Sequence, residues 1–162
     1  MAPMSELPSQ RNKAFRSPPA RMVPWITRVN VWIYRRSGGR YGSAAAGMRN
    51  VMLTTVGRRS GDEHTVVLPY WLDRDGRRIV VASFMGGPSH PAWYHNLADR
   101  DANPDVGVQD RDEQFRARAD VLTGEEHEAV WTELIEDRPF YADYQAKTDR
   151  QIPLVRLVPL GA

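Results

Sequence analysis

The sequence predicts an α+β, mainly β fold: a small antiparallel β-barrel with helices packed around it. Three observations carry that expectation. Several β-branched runs are joined by short Gly/Asp/Ser turns, one run alternates strictly between apolar and polar residues, and no strand–helix–strand unit repeats. At 162 residues and 18.4 kDa the chain has the length of one domain and can bury its own core. Hydrophobic residues at 41% and charged residues at 26% are globular proportions, which excludes wholesale disorder. The absence of cysteine removes disulfides, thiolate nucleophiles and zinc–thiolate sites and fits a reducing cytoplasm. No apolar run approaches the roughly 18 residues a spanning helix needs, and the N-terminus lacks the apolar segment of a signal peptide.

The elements follow in order. Residues 1–20 hold Pro3, Pro8, Pro18 and Pro19 among polar and basic residues without periodicity, and are read as a flexible basic arm. An amphipathic helix is expected over 21–36, opening a single domain that runs from 21 to 162. Met22, Ile26, Val29 and Ile33 form its stripe, Trp25 and Trp32 stand beside it, and Gly38-Gly39 ends it. Such a basic, tryptophan-bearing helix packs on its own domain, lies on a lipid surface or covers a ligand pocket. The Gly/Ala-rich segment from Tyr41 to Arg49 has no clear assignment. Val51–Val56 and His64–Leu72 read as a hairpin across Gly57–Gly61, and Asp73–Gly76 turns the chain into a strand from Arg78 to Phe84, buried on both faces. Ser89 is placed to cap a helix with Pro91 in its first turn and Trp93, Tyr94 and Leu97 on its apolar side. Val106–Gln109 and Gln114–Leu122 return to strand, the second alternating Phe115, Ala117, Ala119 and Val121 with Arg116, Arg118 and Asp120. Thr123 opens a helix with Glu126 at the capping-box position, and Pro139 ends it. A short aromatic stretch then leads to a last strand, Ile152–Val158.

The net charge of +2 is small, but its distribution is uneven. Up to Arg59, eleven cations face the single acid Glu6, so the front half prefers anions. That excess is too slight to announce a nucleic-acid partner. Dinucleotide, P-loop, zincin and α/β-hydrolase signatures are absent, and the four histidines are scattered, so no metal site is expected. Three segments stand out. Thr54–Gly61 presents backbone N–H groups, Arg58, Arg59 and hydroxyls within one turn, either an anion cradle or a solvated basic hairpin tip. Ser83–Ser89 carries a strand end through Gly86-Gly87 to a helix start, either a ligand approach or a plain loop. Tyr141 and Tyr144, three apart on a short helix, offer two phenols to a ligand or to the core.

Four segments together carry a resemblance. Val51–Gly61, Ser83–Leu97 with its Pro-x-Trp-Tyr-x-Asn-Leu, Pro139–Gln145 as Pro-x-Tyr-x-Asp-Tyr-Gln, and Thr148–Pro153 as Thr-Asp-Arg-x-Ile-Pro resemble the deazaflavin (coenzyme F420)-dependent nitroreductase family. Trp25–Asn30, Trp32 and Tyr34–Arg36 look like that family's N-terminal helix. The likeness runs from about Met22 to Val158. It implies a split β-barrel of the FMN-binding split-barrel type with peripheral helices, using coenzyme F420 to pass a hydride to a quinone, nitro compound or activated C=C acceptor.

By motif, the resemblance assigns Arg58, Arg59 and Ser60 to the phosphate or tail carboxylates of F420. Tyr70, Ser83, Met85, Gly86, Gly87, Ala92, Trp93 and Asn96 would complete the cofactor site. Tyr141 and Tyr144 would face the acceptor with Arg138 and Trp25, and Tyr141, Tyr144 or Ser83 would steady developing negative charge. The family commonly has a lysine at the place of Phe84, an arginine near His64 and a tyrosine at Arg138. The competing expectation is a split-barrel protein that binds FMN, haem or lipid without turnover. A small-molecule acceptor, no nucleic acid and a cytoplasmic location complete the reading. Helix 21–36 would make any peripheral contact with the inner face of the cell membrane.

Overall fold

A computed structural model of the chain describes residues 23–40 and 47–161. The N-terminal arm, Met22 and residues 41–46 lie outside the described residues. Six strands, β1 (Arg49–Val56), β2 (Glu63–Leu72), β3 (Arg78–Val81), β4 (Val106–Asp110), β5 (Glu113–Val121) and β6 (Leu154–Pro159), form an antiparallel barrel in the order β1-β2-β3-β6-β5-β4, closed by pairing of β4 with β1. Helices α1 (Val23–Arg36), α2 (Ala92–Ala98), α3 (Gly124–Asp137) and α4 (Phe140–Gln145) lie around it. The expected antiparallel barrel with peripheral helices is thus the observed fold.

Successive strand residues point to opposite faces, and each face has its own cover. Val51, Leu53, Tyr70, Val80, Val106, Val108, Ala117, Ala119, Val155 and Leu157 fill the interior together with Trp93 and Leu97 of α2. Trp71, Ile79 and Leu154 face outwards into a second cluster with Leu122, which follows β5, Val130 and Leu134 of α3 and Tyr141 of α4. This double cover explains why Ile79 and Val80 are both fully buried, as expected for that strand.

Three local expectations are corrected. β3 ends at Val81 and not at Phe84, because Phe84 and Met85 adopt φ of 45° and 53° and leave the extended region. α2 starts at Ala92 with Pro91 before it, and the Pro91 carbonyl accepts from the Tyr94 and His95 N–H groups, so Ser89 lies outside the helix. Thr123 precedes α3 without a side-chain cap. Its expected partner Glu126 is drawn away by the buried Arg156, whose Nη1 donates to Glu126 Oε1 at 2.6 Å.

Because neighbours are antiparallel, β1, β3 and β5 all run the same way and leave the barrel at one end. Turn 57–61, loop 82–91 and the start of α3 therefore gather there. At the opposite end Tyr34 of α1 is fully buried. Its hydroxyl lies 3.1 Å from the Asn50 carbonyl and 3.2 Å from that of Gln109, and it accepts the Arg111 N–H at 3.0 Å. One phenol thereby fastens α1 across β1 and β4. Burial raises its pKa, with the Arg111 N–H opposing. Tyr34→Phe should leave these backbone groups under-satisfied and cost about 1–3 kcal/mol. Urea denaturation should show a lower midpoint with an unchanged slope.

Candidate functional site

Gly57–Gly61 closes on itself: the Gly57 N–H donates to the Asp62 carbonyl at 2.7 Å and the Gly61 N–H to the Gly57 carbonyl at 2.8 Å. Ser60 and His64 close over Gly57, where a Cβ would sit 2.5 Å from Ser60 Oγ and 2.8 Å from His64 Nε2 and would push both side chains aside. Ser60 Oγ accepts the Asp62 N–H at 3.2 Å and lies 3.4 Å from His64 Nε2. Two asparagines bolt this turn to α2. Asn96 Oδ1 accepts the Arg58 N–H at 3.3 Å while its Nδ2 donates to Thr55 Oγ1. Asn103, 2% exposed, accepts the Val56 N–H at 2.7 Å and donates to the Val56 and Asn96 carbonyls, both at 2.8 Å. Along the chain Asn103 reads only as a helix stop before Pro104. Its pairing with a residue 47 positions away leaves no local signal.

Between this turn, α2 and α1 lies a cleft of about 1130 Å³, lined among others by Arg28, Trp32, Arg35, Arg58, Arg59, Ser60, His64, Val66, Ala92, Trp93, His95 and Asn96. That volume is at the upper end for sites of cofactor size. Arg58 and Arg59 are exposed; among the described residues neither forms an ion pair. Glu63 also lines the cleft. Five sequence-predicted cofactor residues besides Asn96 thus converge here: Arg58, Arg59, Ser60, Ala92 and Trp93.

A second group forms around loop 82–91. Phe84–Gly86 make a 3-10 turn in which Gly86 backs onto α4; a Cβ on Gly86 would lie 2.6 Å from the Tyr144 carbonyl. Ser83, Met85 and Gly87 are half-buried, and Phe84 is exposed. Tyr141 and Tyr144 do lie side by side, ring centroids 6.0 Å apart. They differ in access: Tyr144 is half-buried, whereas Tyr141 is in the outer core with its hydroxyl directed at Met48 Sδ, 3.8 Å away. Burial, reinforced by Tyr144, pushes the Tyr141 phenol far above its ordinary value, so it stays a neutral donor.

Three predicted residues stand apart from the cleft. Tyr70 is at the far end of the barrel, donating to Asp110 Oδ2 at 2.9 Å beneath the Arg78 guanidinium. Arg138 is held by its neighbour, Nη1 donating to the Asp137 carbonyl at 3.0 Å and pairing with its carboxylate at 3.2 Å. Trp25 is 71% exposed on α1.

Comparison with known proteins matches residues 25–159 to the F420H(2)-dependent quinone reductase family. The chain belongs to that family. An F420H(2)-dependent quinone reductase of Mycobacterium tuberculosis is 33% identical over 136 residues, 82% of this chain and 89% of the relative. Among solved structures, an F420-H2 dependent reductase (FDR-A) is 42% identical with a TM-score of 0.55, covering 67% of this chain and 92% of its own. A second, a domain-swapped dimer, is 36% identical with a TM-score of 0.58, covering 83% and 98%. Coenzyme F420 is the family's cofactor, and the chain is an F420-dependent reductase. The residues present suit that cofactor: a cleft of its size class ends at two uncompensated guanidinium groups, matched to a phosphate and a carboxylate tail.

One titration follows from the second group. His90 meets Tyr94 at a tilt and His95 edge-on, ring centroids 4.8 Å and 5.7 Å away, and its Nδ1 lies 2.9 Å from Arg150 Nη1. An arginine only donates, so Nδ1 accepts and the ring proton sits on Nε2. Burial first, then Arg150 and His95, hold its pKa below 6.5. The unfolded chain therefore binds the proton first, and this contribution to stability, present above pH 6.5, is lost as pH falls through the lower folded value. Nitrogen-detected NMR should find His90 more than half neutral at pH 6.5, with the neutral form as the Nε2–H tautomer.

Proposed function

We propose that this chain passes a hydride from reduced F420 to a quinone, the cofactor's phosphate and tail lying in the cleft between α1, turn 57–61 and α2 and its ring reaching towards loop 82–91. Nitro compounds and activated alkenes would be further acceptors for the same chemistry. The observation that supports the reading best is the pairing of two guanidinium groups, Arg58 and Arg59, with an apolar wall that includes Trp32, Val66 and Trp93.

When bound, the reduced deazaflavin supplies a hydride from carbon, so what remains for the protein is to place donor and acceptor and to exclude water. In this reading Arg58, Arg59 and Ser60 take the phosphate and tail carboxylates, and Ala92 and Trp93 pack against the cofactor. Asn96 holds the turn that carries the arginines. Ser83, Met85, Gly86 and Gly87 bring backbone close to the ring. Tyr144 and Ser83 donate to the acceptor oxygen as it gains charge, and the neutral Tyr141 phenol supports Tyr144 from below. Tyr70, whose hydroxyl is engaged at the other end of the barrel, has no part in it. Arg138 would attract anionic acceptors; its pairing with Asp137 weakens that pull. Trp25, exposed on α1 and outside the cleft lining, has no part in it either.

Titration with oxidised F420, followed by tryptophan fluorescence with FMN in parallel, tests the cofactor site. Micromolar or tighter binding of the deazaflavin alone is expected, and Arg58→Gln with Arg59→Gln should weaken it about tenfold, an effect that shrinks with salt. Binding of FMN instead would favour the carrier reading. Turnover with a short-chain naphthoquinone tests the acceptor, and an unchanged acceptor profile in Arg138→Tyr would remove Arg138 from the pocket.

Among the described residues no helix is long and apolar enough to cross a membrane. Trp25 and Trp32 are nevertheless 71% and 64% exposed on α1, beside Arg28, Arg35 and Arg36. We infer a peripheral contact with anionic lipid. Co-sedimentation with phosphatidylglycerol vesicles should fall in Trp25→Ala with Trp32→Ala, and equal sedimentation would refute it.

A further inference from the structure

Two motifs of the sequence, Pro139–Gln145 and Thr148–Pro153, contain Gln145 and Arg150, neither of which touches the cofactor or the acceptor in the proposed reaction. Their contacts meet at the least ordinary stretch of backbone in the fold. Phe84, Met85 and Gly86 have φ of 45°, 53° and 79°. Three residues in succession therefore lie in the left-handed region, two of them with side chains that disfavour it. Among the described residues the one other non-glycine with positive φ is Arg111, in the β4–β5 hairpin turn. Strain of this kind persists where surrounding contacts over-determine it.

The contacts that do so come from one side chain. Arg150 Nη1 donates to the Ala82 carbonyl at 3.2 Å, Nη2 to that of Ser83 at 2.8 Å and Nε to that of Gly87 at 2.9 Å. The guanidinium thus grips carbonyls before and after the left-handed turn, and Nη1 also reaches His90 Nδ1. No carboxylate among the described residues pairs with it. The loop that presents Arg150 is in turn held by Gln145, whose Nε2 donates to the Thr148 and Arg150 carbonyls and whose Oε1 accepts the Ile152 N–H at 3.0 Å. Behind the turn, Gly86 rests on the Tyr144 carbonyl and on Lys147.

We propose that Arg150, carried by Gln145, is a positioning residue that clamps the left-handed turn Phe84–Gly86 and so sets the backbone that the cofactor meets. This rests on the F420 reading for its consequence, but the clamp itself can be tested without cofactor. A planar fork reaches three carbonyls on two sides of a turn, which the point charge of lysine does not. In Arg150→Lys the turn relaxes towards ordinary backbone, while the barrel ladder is untouched.

The test is amide hydrogen exchange on the full chain, with oxidised F420 affinity as a second readout. The Gly86 and Gly87 N–H groups donate to the Ser83 and Phe84 carbonyls, both at 2.9 Å, so their exchange reports the turn. In Arg150→Lys both should exchange about tenfold faster or more, with Leu53 and Val155 unchanged, and F420 should bind about tenfold more weakly. Adding Met85→Gly, which removes much of the left-handed penalty, should recover most of both losses relative to Met85→Gly alone. Exchange at Gly86 and Gly87 within twofold of native, acceleration equal to that of the barrel amides, or no recovery with Met85→Gly would each overturn the proposal. If Arg150→Lys does not fold, Gln145→Leu, which frees the loop carrying Arg150, is read by the same criteria. A native protein that binds no F420 would sink the cofactor reading, and the exchange result would still decide the clamp.

Discussion

Closure of the sheet through the β4–β1 pairing is the constraint from which the remaining architecture follows. A closed ladder has no edge, so every strand has an inside and an outside, and both must be covered or wet. The inside is filled by small and β-branched side chains and capped by Trp93 and Leu97 of α2. The outside of β2, β3 and β6 is covered by α3 and α4, and α1 lies against β2. Antiparallel pairing around the ring also sends β1, β3 and β5 out at one end. The turn with Arg58 and Arg59, the left-handed turn at Phe84–Gly86 and the loop carrying Arg150 are neighbours for that reason.

Each end of the barrel is locked by a network of buried and half-buried polar groups. At the far end Tyr70, Asp110 and Arg78 form one network, Arg78 Nε donating to Asp110 Oδ2 at 2.9 Å, with Tyr34 close by. At the site end Asn96 and Asn103 tie turn 57–61 to α2. Buried networks of this kind are costly to break and so rigid. Rigidity is what hydride transfer asks of its scaffold, since the reaction depends on distance and orientation and not on a strong base. The neutral, deeply buried Tyr141 fits that demand.

Two of the departures that the resemblance brings out, at His64 and Phe84, fall at the site end, and the third, at Arg138, falls beside Trp71 and Asp137. His64, near where an arginine is common, lines the cleft against Ser60. Phe84, where a lysine is common, stands exposed on the strained turn, packed against Gly87. An imidazole and an apolar ring thus stand where the resemblance leads one to expect cations, while Arg58 and Arg59 keep the charge of the cleft. Arg138, in place of a tyrosine, is turned towards Asp137, whose carboxylate also accepts the Trp71 indole at 2.7 Å.

Much of this protein was legible in one dimension. Alternation in Gln114–Leu122, the Gly57–Gly61 and Asp73–Gly76 turns and the β-branched runs determine the strands, because side-chain period and turn chemistry are local properties. Family motifs pointed to the cofactor and to Arg58, Arg59, Ser60, Ala92, Trp93 and Asn96, which share one cleft. The end of β3, the start of α2 and the fate of Glu126 were not legible. Two of these are decided by a partner distant in sequence: Arg150 for the turn after β3, Arg156 for Glu126. The same holds for Asn103 and Arg150, whose work is hydrogen bonding across the fold, and for Tyr70 and Tyr141, which the resemblance assigned to the site while packing buries both. Local periodicity is written along the chain; which buried polar group meets which is settled only when closure of the barrel brings them together.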